Sequence, residues 1–184
     1  VFTGNATESA NLALFGAVNA WKRSHPKETP HIIVSAIEHD AVLEPARKLE
    51  AMGVVVTLLP VDARGFAQLG VLKASLTPNT VLISIMYANN EIGTIQPIRE
   101  IAKLIRKWRK GTRGMTRDRK PEKTANFSNV TPLKAEERPQ AVSDTQYPLF
   151  HTDATQAANY CDMHIPRLGV DLLTMNAAKI YGPK

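Results

Sequence analysis

One cysteine, Cys161, is all the thiol this chain has, so no internal disulfide can form, and a lone Cys without clustered histidines makes no zinc site. A reducing compartment is expected, with the cytoplasm as the default, and no metal. No apolar run approaches the roughly 18 to 20 residues of a membrane span, and the N-terminus lacks the basic start and apolar stretch of a secretory signal. Neither membrane insertion nor export is therefore expected. There is no internal repeat and no initiating methionine. The chain opens at Val1 within an expected strand and stops at Lys184, just past Gly182-Pro183, and it reads as the central excerpt of a longer protein.

What is present is ordinary for a globular domain: 184 residues, 43% hydrophobic and 22% charged. The net charge of +6 is not evenly spread. Between Lys103 and Arg138 stand twelve Lys or Arg against four acids, an excess of eight, so the rest of the chain is slightly acidic. The basic character belongs to one segment, and nucleic-acid binding by the fold as a whole is not expected.

Short β-branched runs alternate with helical periods, the signature of βα units around a mostly parallel sheet. The expected strands are 31–35, 54–59, 81–87, 149–152 and 170–174. Leu14, Ala17, Val18 and Trp21 fall on one helical stripe; Val42, Pro45, Ala46 and Leu49 form a second. Pro97 suits a first helical turn, followed by Ile98, Ile101, Ile105 and Trp108 on one face. From about 111 to 147 the periodicity stops and Arg, Lys, Thr, Ser, Asn and Pro accumulate. That stretch is too polar to fold alone and longer than an ordinary loop, so it is read as a surface or disordered insertion. An arm that binds RNA or an acidic partner is the lesser reading.

Four polar clusters sit at expected strand ends or helix starts. Gly4-Asn5-Ala6-Thr7-Glu8 opens a helix whose free N–H groups suit an anion, although plain capping by Thr7 accounts for it equally. Glu38-His39-Asp40 and Asn89-Asn90-Glu91 follow two strands and could be a helix start and a turn. Asp153 ends another strand, where it could cap the next segment or face a ligand. Lys179 follows small residues after an apolar strand, a setting in which desolvation would free its amine for Schiff-base chemistry.

Five strings resemble cysteine desulfurases, class V aminotransferase-like enzymes of the fold-type I pyridoxal-phosphate class, in order and at compatible separations. They are Thr7-Glu8-Ser9, Glu38-His39, Tyr87-Ala88-Asn89-Asn90-Glu91-Ile92-Gly93, His151-Thr152-Asp153-Ala154-Thr155-Gln156 and Lys179-Ile180-Tyr181-Gly182-Pro183-Lys184. Selenocysteine lyases are close relatives. The resemblance implies a three-layer α/β/α sandwich, residues 1–184 forming part of the large cofactor-binding domain, with pyridoxal 5'-phosphate as cofactor. It implies Lys179 as the residue that carries the cofactor and shuttles protons, and Asp153 as partner of the pyridine nitrogen. His39 would stack on the ring and assist proton transfer. Ala6 and Thr7 would cradle the phosphate, Gln156 would lie near the phenolic oxygen, and Asn90 would sit beside cofactor and substrate carboxylate. Asn176 stands where the family usually has Ser, and can still donate to the phosphate; Ala178 replaces a usual His and cannot, and Asn5 replaces a usual Gly. The implied reaction takes L-cysteine to L-alanine, passing sulfur to an enzyme cysteine for iron–sulfur cluster or thio-cofactor synthesis. A homodimer and a sulfur-acceptor or scaffold protein are the implied partners. The persulfide-forming cysteine and the carboxylate-binding arginine are expected outside these residues, with Cys161 a packing residue. A non-catalytic binding protein that uses its basic insertion is the competing reading from another class.

Overall fold

The computed structural model describes residues 1–112 and 146–182. The chain folds as α1 (Ala6–Ser24), β1 (His31–Ser35), α2 (Asp40–Ala51), β2 (Val55–Leu59), α3 (Leu69–Ser75) and β3 (Thr80–Ser84). It continues through α4 (Ile98–Thr112), β4 (Leu149–Asp153), α5 (Ile165–Leu168), β5 (Leu172–Thr174) and a single 3-10 turn, Ala177–Lys179. The five strands form one sheet in the order β2-β1-β3-β4-β5, and every pairing is parallel.

β1 and β3 lie inside the sheet and are buried along their whole length, which is why they read as continuous apolar runs rather than alternating ones. Each face of the sheet carries its own core. Leu14, Val18 and Trp21 of α1 and Val42, Ala46 and Leu49 of α2 pack on Ile32, Val34 and Leu82. On the other face Leu72 of α3, Ile98, Ile101 and Ile105 of α4 and Leu168 of α5 pack on Ile33, Ile83, Ile85 and Phe150. The result is the expected three-layer α/β/α arrangement. At the sheet's amino-terminal edge, Arg109 of α4 donates to the Pro148 carbonyl and pairs with Asp171, whose carboxylate also accepts from Phe150 N at 2.7 Å.

The expected helical stripes are the buried ones except at Trp108, which is half-buried, and Pro97 directly precedes α4, its carbonyl accepting from Ile101 N at 3.1 Å. Differences lie at the ends. No strand forms at Val1 and Phe2, which are exposed and pair with no strand among the described residues. β3 ends at Ser84, yet Ile85 N and Tyr87 N still donate to the His151 and Asp153 carbonyls at 3.1 and 2.8 Å, so the expected run to Tyr87 continues as extended chain beside β4. β5 is shorter than expected because only three residues pair. Two helices were not expected: α3 buries a single residue and α5 is one turn long, too little for a periodic signal. The insertion expected at about 111–147 lies outside the described residues except at its margins, where α4 runs on to Thr112.

Candidate functional site

Because all strands run parallel, the carboxyl ends of β1, β3, β4 and β5 open on one edge of the sheet, the edge where ligands collect in such folds. There the start of α1 and the segments after these strands enclose a cavity of about 260 Å³. Ala6, Thr7, His39, Asn90, Asp153, Gln156, Asn176 and Lys179, the residues singled out in the sequence, all stand on its wall. A second cavity of about 250 Å³ adjoins it, sharing His39, Met86 and Asn90 and running over Glu38 and Asn89.

The wall is held by side-chain caps. Asn5, not Thr7, is the N-cap of α1: its backbone is extended and its Oδ1 accepts from Glu8 N at 2.9 Å. Glu8 reaches back to accept from Gly4 N at 2.7 Å, close to a capping box. Thr7 is thereby released from capping and faces the cavity. His39 is both the cap of α2 and a wall residue. Its Nδ1 accepts from Ala41 N at 3.0 Å, which places the proton of the neutral ring on Nε2. Asn89 makes the turn after β3, donating to Ile37 O at 3.0 Å and accepting from Glu91 N and Ile92 N at 2.8 and 3.0 Å, and this leaves Asn90 exposed on the wall.

Asp153 ends β4 and is 6% exposed; its Oδ1 accepts from Thr155 N at 2.9 Å, so it caps the following turn and still borders the cavity. Asn176 caps the 3-10 turn, its Oδ1 accepting from Ala178 N at 3.0 Å, which leaves the amide nitrogen as its donor. Lys179 follows three residues later, its main chain pinned by Asn176 O at 3.0 Å and by Asn159 Nδ2 at 2.9 Å. The lysine is exposed, so the desolvation expected of it is not supplied by the described residues. Cys161 is half-buried against the sheet core, and burial pushes its thiol up, away from a reactive thiolate.

One residue that the sequence left without a role is Glu38. It is 6% exposed, and its Oε1 accepts from Ser35 Oγ at 2.5 Å and from Met86 N at 2.6 Å, tying the ends of β1 and β3 together. Its Oε2 is buried with no hydrogen-bond partner. Burial raises the carboxyl to about 8; the bonds from Ser35 and Met86 pull it down, and the charge of Asp153 pushes it up. The folded protein thus keeps this proton where an unfolded chain would have lost it. Below the ordinary carboxylate value, near 4.5, no cost arises; between there and about 8 the fold loses about 1 kcal/mol per pH unit, and above that the loss levels off. Glu38→Gln keeps the acceptor and removes the charge, so the melting temperature of the unmodified protein is expected to fall relative to this variant from pH 5 to pH 8. Parallel melting profiles over that range would remove Glu38 as the titrating group.

The donor set suits the pyridoxal phosphate implied by the resemblance. A helix start with Ala6 and Thr7 offers main-chain N–H groups to an anion, a carboxylate stands buried at the floor, and an amine and an imidazole stand exposed at the wall. Ala178 contributes no donor and Asn176 one, so the anion end relies mainly on the α1 start.

Residues 1–112 match the family described as Aminotransferase class-V. The chain is 38% identical over 184 residues to "Cysteine desulfurase IscS" of Dictyoglomus turgidum, covering all of this chain and 36% of that protein. It is 35% identical over 184 residues to "Probable cysteine desulfurase, mitochondrial" of Dictyostelium discoideum, of which it covers 32%. The chain therefore spans about a third of the length of the curated relatives it matches. Among solved structures it superposes on "SspA in complex with cysteine" with a TM-score of 0.72 at 32% identity, covering all of this chain and 41% of that one. A "NIFS-LIKE PROTEIN" gives 0.73 at 32% identity, with 40% of that chain covered.

Proposed function

The chain belongs to the aminotransferase class-V family, and from that premise we propose that it is the central part of the cofactor-binding domain of a pyridoxal-phosphate-dependent cysteine desulfurase. The observation that carries the reading is the gathering of eight residues, from Ala6 to Lys179, on the wall of one cavity. Residues 1–184 form part of the large domain, with an insertion at about 111–147. A homodimer working with a sulfur-acceptor protein in the cytoplasm, supplying iron–sulfur cluster synthesis, completes the proposal. No helix among the described residues is long and apolar enough to cross a membrane.

In this reading the start of α1, with Ala6 and Thr7, takes the phosphate. His39 covers one face of the ring, and Gln156 donates toward the phenolic oxygen. Asp153 holds a proton on the ring nitrogen, where its negative charge keeps that site protonated. Lys179 would hold the cofactor through its amine and would be the base at the substrate α-carbon, and Asn90 would orient the substrate carboxylate. Pyridoxal phosphate, when bound, supplies the electron sink that makes bond breaking at that carbon and the carbon next to it feasible. Cys161, half-buried against the sheet core with its thiol pushed up by burial, is a packing residue in this reading, and the sulfur acceptor is a cysteine outside these residues.

The complete protein, loaded with pyridoxal phosphate and given L-cysteine and a thiol reductant, is expected to form L-alanine and sulfide in equal amounts. Preferential turnover of L-selenocysteine would reassign it as a selenocysteine lyase. Absence of alanine from either substrate would overturn the reading.

A further inference from the structure

Directly beneath the cavity floor, four polar side chains form a continuous row. Ser84 Oγ lies 2.8 Å from His151 Nδ1, His151 Nε2 lies 3.0 Å from Thr174 Oγ1, and Thr174 Oγ1 lies 3.1 Å from Ser9 Oγ. Ser84, His151 and Thr174 are 0, 0 and 1% exposed, and Ser9 is half-buried. The row crosses β3, β4 and β5 and ends in the first turns of α1. Ser84 stands opposite His151 in the strand register; Thr174 stands opposite Asp153, so the His151 ring reaches it diagonally across two residues.

Each member stands two residues from a cavity-wall residue: Ser9 from Thr7, Ser84 from Met86, His151 from Asp153 and Thr174 from Asn176. Along extended chain a two-residue step returns to the same face, so Ser84, His151 and Thr174 form the layer below the wall, and Ser9 of α1 joins that layer through its bond to Thr174. Burial pushes the His151 imidazole down to about 4, with the Asp153 charge opposing, so at neutral pH the ring has one donor and one acceptor nitrogen. The two flanking hydroxyls satisfy both. None of these four groups has a task in the chemistry proposed above.

The Ser9–Thr174 bond is the one side-chain hydrogen bond joining α1 to the sheet among the described residues. The remaining helix–sheet contact is apolar, through Leu14, Val18 and Trp21, and apolar contact is non-directional. We propose that Thr174 is a positioning residue whose hydroxyl fixes the start of α1 relative to the Asn176–Lys179 arm, and so sets how well the site discriminates a phosphorylated ligand from its unphosphorylated form. The inference rests on the pyridoxal-phosphate reading. A ligand held at its phosphate by α1 and at its ring by β4 and β5 needs the two elements at one spacing.

The test compares dissociation constants of the complete protein, stripped of cofactor, for pyridoxal phosphate and for pyridoxal. Thr174→Val keeps the β-branched shape and removes the hydroxyl; Thr174→Ser keeps the hydroxyl. Thr174→Val is expected to weaken pyridoxal phosphate by about tenfold, the scale of one lost hydrogen bond, while leaving pyridoxal unchanged. Thr174→Ser should restore the preference. Ser9→Ala, at a half-buried helical position that tolerates alanine, should reproduce the loss, and the double variant should add little to it. Equal weakening of both ligands, or of neither, would make the row purely structural and overturn the proposal. If the unmodified protein itself failed to prefer the phosphorylated ligand, the cofactor reading would fall first, and the proposal with it.

Discussion

With Lys179→Ala, the complete protein is expected to carry no cofactor that borohydride can fix to the chain, whereas the unmodified protein should be labelled at that one residue. Lys179 is the lysine on the cavity wall, and its main chain is anchored by Asn176 and Asn159, so the amine starts from a fixed point on the wall that Asp153 also lines. No other side chain of the wall is a primary amine. The substitution removes an exposed side chain and leaves those main-chain bonds in place, so with both proteins stripped of cofactor stability should move by less than about 0.5 kcal/mol. Loss of labelling with an unchanged melting temperature separates the chemical role from a structural one. Peptide mapping that located the label on any other lysine would refute the assignment.

Asp153→Asn should separate binding from turnover. Asparagine has nearly the same shape and can keep the acceptor that Thr155 N uses, so the turn after β4 is retained. What is lost is the charge that, in the proposed reading, would hold a proton on the cofactor's ring nitrogen. A group of this kind acts mainly on the transition state, so kcat/KM is expected to fall roughly 10²–10³-fold, with the change in kcat and not in retention of cofactor. Two neighbours report on the same charge. Glu38 is pushed up by Asp153, so its proton should leave at lower pH in the variant; His151 is held up by Asp153 against burial, so its ring should become still harder to protonate. Near-native turnover, or unchanged titration of both neighbours, would count against the placement of the charge.

Much of this site was legible in the sequence because its members sit at the ends of strands that announce themselves. The run 31–35 is apolar and β-branched, and it forms β1 with those bounds. His39, Asn90, Asp153 and Lys179 each follow such a run at short distance, so locating the strands nearly located the wall. The illegible parts depend on partners far along the chain. Glu38 is bonded by Met86, 48 residues on, and His151 joins Ser84 and Thr174 from two other strands. No local pattern encodes those pairings. Thr7 stands as a possible cap in the sequence for a local reason: Asn5 and Thr7 are both good caps, and only the observed helix start at Ala6 distinguishes them. Lys179 was expected to be shielded from its apolar approach strand, but β5 ends at Thr174 and the lysine lies beyond it on an exposed turn.

The all-parallel sheet also governs the order in which the cavity can come into being. Parallel neighbours cannot be closed by a tight hairpin; each pairing waits for a crossover segment to be laid down. In the spatial order β2-β1-β3-β4-β5, the strand that brings Asp153 adds to the free edge of β3, and β5 then adds to it. A growing chain therefore presents the helix start, His39 and Asn90 while the β3 edge, Thr80–Ser84, is still open, and an open apolar edge is a site for mispairing. No ligand can bridge the wall until β4 closes that edge. Whatever binds across it recognises the completed sheet alone and stabilises it by mass action, about 2.7 kcal/mol at a ligand concentration a hundredfold above its dissociation constant. In a cell, cofactor supply would then act on how much of the protein survives its own assembly.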